Sequence, residues 1–169
     1  MSKRTIYENF NDKTEVLEAT QTYFKSVHEK HISEIIACSD HVMEVILRML
    51  RYGLEGINKV NPVYLEDLRK YYPEIWNQNI EKSRASNQKQ MRELLERGKQ
   101  EGLFRSDVDT KLVSRIFYEQ INLIHSKEAF PVDEFPRKEL FENMFLNFAR
   151  GISTPKGMEV LEELLEKED

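Results

Sequence analysis

Cysteine is nearly absent from this chain. Cys38 is the only one, so no internal disulfide can form, and a reducing compartment, the cytoplasm, is expected. No apolar run approaches the ~20 residues that cross a bilayer, and the start has the pattern of neither a signal nor a transit peptide. Net positive charge is missing too: the formal charge is −5, the wrong sign for a chain whose whole surface grips nucleic acid. Any DNA contact is therefore confined to a local basic spot. No phosphate-binding glycine loop, nucleophile elbow or His-Glu-x-x-His occurs, so an enzyme is not expected.

The four histidines support no metal centre. A carboxylate-bridged di-iron bundle needs Glu three residues before His, but His28, His31, His41 and His125 are preceded at that spacing by Lys25, His28, Cys38 and Asn122. His31, Cys38 and His41 fall near one helical face, yet Ser39-Asp40 breaks the helix between them, and no spacing matches a zinc site. No metal and no cofactor is expected.

What is present reads as helix throughout. Hydrophobic residues make up 40% and charged residues 33% of 169 residues, enough for one compact all-α domain with a substantial core. A long first helix from Lys13 to about Cys38 carries Leu17, Thr20, Phe24, Val27, His31 and Ile35 at steps of three and four, one continuous face. A second carries Val42, Val45, Ile46, Met49, Leu50, Gly53, Leu54 and Ile57. Its glycines, Gly53 and Gly56, mark either close helix packing or room for a ligand. Asn61-Pro62 restarts the chain, Tyr72-Pro73 stops it, and one helix from Glu74 to Glu101 is closed by Gly102.

That helix has a polar middle. Ser83 and Asn87 occupy positions that continue the stripe of Trp76, Ile80, Met91, Leu94 and Leu95, which predicts either a cavity holding a polar ligand or a bulge into solvent. Asp109 caps the next helix, lined by Leu112, Val113, Ile116, Phe117, Leu123 and Ile124. After Pro131 and Pro136, a helix with Phe141, Met144, Phe145, Phe148 and Ile152 is apolar on two sides. Either a second subunit covers its second side or it is the central helix of a monomer. Thr154-Pro155 starts a last covering helix with Met158, Leu161, Leu164 and Leu165 inward.

The first seventeen residues have a different character. Ser2 can cap a short helix to Phe10, with Ile6 and Phe10 four apart, and Asp12 with Glu15 forms a capping-box-like start for the long helix. Ser-Lys-Arg-Thr-Ile-Tyr, then Phe10, then Lys13 with Val16 and Leu17, resembles the recognition helix and following helix of the tetracycline-repressor (TetR) family of bacterial transcription regulators. The resemblance implies a TetR-like helical bundle: residues 1–12 as the remnant of a helix-turn-helix whose two earlier helices lie upstream in the family, and 13–169 as a ligand-binding and dimerisation body. It further implies that Ser2, Lys3, Arg4 and Thr5 meet bases or phosphates of operator DNA, with Tyr7 and Lys13 on the backbone.

Two further residue sets complete the reading. From helical phase, Phe24, His28, Met49, Tyr52, Trp76, Ile80, Asn87, Tyr118 and His125 are candidates to line a pocket for an unidentified small-molecule effector, or are ordinary core. Ile116, Phe117, Leu123, Phe141, Met144, Phe145 and Phe148 are expected at a homodimer interface. The expected function is a ligand-responsive regulator, a repressor in the first instance. The alternative is an all-helical homodimeric ligand-binding or interaction module that does not bind DNA in this form.

Overall fold

The computed structural model describes residues 8–59, 62–124, 126 and 128–167, without the side chains of residues 57–59, 62, 65–66 and 79–82. Among them the fold is all-α, with seven helices and no strand. These are α1 (Lys13–Ala37), α2 (Val42–Lys59), α3 (Pro62–Tyr71), α4 (Pro73–Gln100), α5 (Thr110–Leu123), α6 (Arg137–Ile152) and α7 (Pro155–Glu166).

Most boundaries follow from local chemistry. The Asp12 carboxylate accepts from Glu15 N at 2.9 Å, while the Glu15 carboxylate accepts from Asn11 N at 2.7 Å, so each satisfies backbone donors the helix leaves open. Asp109 caps α5 through Leu112 N and Thr154 caps α7 through Gly157 N. Tyr72 caps α4 with Pro73 in its first turn. At the far end of α4, Gly102 takes φ +71°. Leu103 N donates to Gly98 O and Gly102 N to Lys99 O, the paired closure that a left-handed residue permits.

At the α1–α2 corner the chain breaks at Ser39-Asp40 as expected, and at the start of α2 the Nδ1 of His41 accepts from Glu44 N. The corner is clasped from outside: Arg97 of α4 donates to both Ser39 O and Asp40 O at 3.1 Å and to Glu101 at 2.6 Å. Glu101 in turn accepts from Val42 N at 2.8 Å.

Helix α2 is the centre of the bundle and packs on α1, α4, α6 and α7. It buries Val42, Met43, Val45, Ile46, Leu47 and Leu50. A methyl at Gly53 would overlap the Phe141 ring, so of the two readings of this glycine the structure favours close packing of α2 on α6. The loop after α4 is part of the core: Leu103, Phe104 and Val108 are buried. It is stitched to the α6–α7 corner by Arg105 N to Ile152 O and Thr154 N to Leu103 O, both 2.9 Å.

The expected face of α1 is mostly open: only Ile32 and Ile35, near the end of the helix, are buried, and Phe24, Val27 and His31 are exposed. Helical phase identifies a shared face, but little of the bundle extends along this part of the rod to cover it. On α6, Phe141 and Phe145 pack within the chain, as does Phe117 of α5. Phe117 and Phe145 meet edge to face at 5.2 Å, and Phe141 lies 5.6 Å from Phe145. These three aromatic rings are buried within the chain's own core.

Candidate functional site

A cleft of about 240 Å³ opens between α1 and α4. One wall comes from a single face of α1, where Gln21, Phe24, Lys25 and His28 recur at steps of three and four, with Glu29 beside them. The other comes from α4, where Ser83 and Asn87 stand four apart. The polar middle of α4 thus faces a cleft. No described residue pairs with the Ser83 hydroxyl or the Asn87 amide, and both side chains are half-buried. Phe24 is 61% exposed, an unusual place for a large ring in a bundle with a well-filled core.

The charged members of the wall are engaged with each other. Lys25 Nζ lies 3.7 Å from Glu29. Gln21 Nε2 donates to the Tyr64 hydroxyl at 2.7 Å, which ties α1 to α3 and turns the amide. The His28 ring stacks on Tyr52 of α2 at 5.5 Å, and His31 lies 4.2 Å from the same ring. Loss of water around His28 holds its pKa below the usual imidazole value; Glu29 opposes this and His31 adds to it.

The structure brings Phe24, His28 and Asn87 together at the cleft, with Tyr52 immediately behind His28. Other pocket candidates stand elsewhere. Met49 packs half-buried against the core. Trp76 sits on α4 about 16 Å before Asn87 at ~1.5 Å per residue. Tyr118 of α5 carries the Arg84 guanidinium over its ring at 5.7 Å, with Arg84 also paired to Glu119 at 3.3 Å. His125 and the side chain of Ile80 lie outside the described residues. Gln21, Lys25 and Glu29 belong to the cleft but not to the expected pocket set, and Ser83 is expected only as part of the polar middle of its helix. The i, i+3 step back from His28 and the i, i+4 step back from Lys25, on the same face, would have found Lys25 and Gln21 beside Phe24.

Of the expected DNA contacts, Ser2, Lys3, Arg4, Thr5 and Tyr7 lie outside the described residues. Lys13, in the first turn of α1, places its Nζ 5.4 Å from the centre of the Tyr72 ring. A second cleft, of about 340 Å³ between α2 and the end of α7, is lined by Glu44, Leu47, Arg48, Arg51, Leu164 and Lys167. Its Arg48 is held by Glu44 at 2.7 Å and by Cys38 O at 3.1 Å. Among the described residues no group of three His, Cys, Asp or Glu is placed to hold a metal ion, and no helix is long and apolar enough to cross a membrane.

The expected interface set divides. Phe117, Phe141 and Phe145 are buried inside the chain, Met144 and Phe148 are half-buried, and Ile116 and Leu123 are exposed. Leu112, at 55% exposure, completes a stripe with Ile116 and Leu123 along one side of α5. Comparison with protein-family models, curated proteins and solved structures finds no match to this chain.

Proposed function

We propose that this chain is a ligand-responsive DNA-binding transcription regulator of the TetR type, a repressor that works as a homodimer. The observation that supports it is that one helix joins the Asp12 corner to the cleft. Helix α1 starts at that corner, directly after the stretch resembling a recognition helix, and about two to four turns on it forms one wall of the α1–α4 cleft. A ligand that binds one tilt of α1 better than another shifts the population of tilts, and so the spacing of two DNA-reading ends in a dimer. Leu112, Ile116 and Leu123 on α5 are the apolar surface left for the dimer contact.

The test is selection from random duplex DNA by the product of the complete reading frame. Enrichment of a two-fold symmetric sequence, with affinity falling steeply as salt rises, is the expected result. No enrichment would sink the DNA-binding half of the reading. A second reading, a homodimeric ligand-binding module that does not touch DNA, draws support from the net charge of −5 and from the Lys13 ammonium lying 5.4 Å from the Tyr72 ring. Sedimentation decides the part common to both: Ile116→Glu is expected to convert a dimer to monomer at micromolar concentration, and a monomeric parent chain removes both.

A further inference from the structure

We propose that the α1–α4 cleft takes an uncharged planar aromatic or heteroaromatic molecule whose edge presents a hydrogen-bond donor beside an acceptor, such as an aryl amide or a fused lactam. This deepens the sensing role given to the cleft above and rests on it. Size sets the first bound. About 240 Å³ lies below the ~300–1,000 Å³ typical of drug-sized ligands, which leaves room for one or two fused rings.

Polar groups set the second. The Asn87 amide offers a donor and an acceptor side by side, with the Ser83 hydroxyl one turn away, and neither is used by a described residue. A primary amide pairs best with a ligand edge that has the complementary donor and acceptor, two parallel bonds in one plane. Flatness is the third. Phe24 presents an open ring at the cleft, and aromatic faces favour offset or edge contacts with another flat ring.

Charge sets the last. An anion would need Lys25, but Lys25 lies 3.7 Å from Glu29, and reaching it means drawing a negative ligand beside that carboxylate. A cation meets the mirror-image problem. The remaining polar lining groups, Gln21, Ser83 and Asn87, carry no charge, and loss of water around His28 disfavours its charged form. A neutral ligand is the one class that the cleft meets without breaking an ion pair.

Protein-observed NMR on the full chain tests this with probes of matched size: benzamide and quinazolin-4-one against benzoate, benzylamine and toluene. Benzamide and quinazolin-4-one are expected to shift the His28 ring and Asn87 side-chain resonances. Asn87→Leu is expected to weaken quinazolin-4-one about tenfold or more, with Ser83→Ala as a milder variant and the thermal midpoint of each variant confirming the fold. If benzoate, benzylamine or toluene binds at these residues as tightly as benzamide, or if Asn87→Leu leaves quinazolin-4-one binding unchanged, the ligand class is wrong although the cleft remains a site. If no probe of any charge moves these resonances, the cleft is not the sensing site and both readings fall.

Discussion

The C-terminal end of α1 and its middle are built on opposite terms. At its C-terminal end nearly every group has a partner: Ile32 and Ile35 are buried, the corner carbonyls of Ser39 and Asp40 accept from Arg97, and α2 fills the space beneath. Through its middle the same helix leaves Phe24 and Val27 exposed and faces the unpartnered Ser83 and Asn87 across a cleft. A stretch that makes only fold would have used those side chains. The contrast separates residues that hold the bundle from residues free to meet something else.

The sharpest way to break the comparison is to attack the core that α1 joins at its closed end. Leu161 of α7, in the same core as Ile32 and Ile35, has no exposed surface, so Leu161→Ala is expected to cost about 2–5 kcal/mol in urea unfolding. A cost under about 1 kcal/mol would mean this core is not as well filled as its burial indicates. Arg97→Ala leaves the Ser39 and Asp40 carbonyls without their partner and is expected to cost about 1–3 kcal/mol, with faster amide exchange at residues 39–42. Charge alone is not the distinction. The Arg150–Glu162 pair joins α6 to α7 at 2.9 Å, raising the Arg150 pKa and lowering that of Glu162 chiefly through their hydrogen bond, yet both side chains are well exposed. Glu162→Gln is accordingly expected to cost no more than about 0.2–1 kcal/mol, and less in high salt.

The open stretch should behave differently. Asn87→Leu removes a half-buried unpaired amide and improves helix propensity, so stability is expected to hold or rise slightly, by about 0.5 kcal/mol or less, while quinazolin-4-one binding weakens about tenfold or more. The smallest effect concerns pH. His28 has its folded-state pKa below the ordinary value of 6.5, so the unfolded chain binds more protons in acid, and stability falls as pH drops below 6.5. Replacing His28 with Phe is expected to flatten that part of the stability profile; an unchanged slope would assign it to other groups.

Where helices start and stop was legible because single residues decide it. Asp12, Tyr72-Pro73, Gly102, Asp109 and Thr154-Pro155 each act through their own backbone geometry or first-turn hydrogen bonds. What covers each helix was less legible. Phe24 and Phe141 both lie on apolar stripes of the right period, yet one is open and the other is pressed against Gly53. Periodicity names a face and is silent on the neighbour. The cleft was half visible, since a polar break at Ser83 and Asn87 signals a change of surroundings, but pairing it with Gln21 and Lys25 needs the packing of α1 on α4.

The Arg97–Glu101 clasp fixes the corner just beyond the end of α1. From Ala37, His28 lies about 14 Å along the rod and Lys13 about 36 Å, at ~1.5 Å per residue. A rigid tilt about the clasped end would therefore be multiplied between the cleft and the Asp12 corner by a mechanical gain of roughly two and a half. A 5° tilt would carry Lys13 about 3 Å but His28 only about 1 Å, which is the displacement the proposed sensing would require at the cleft.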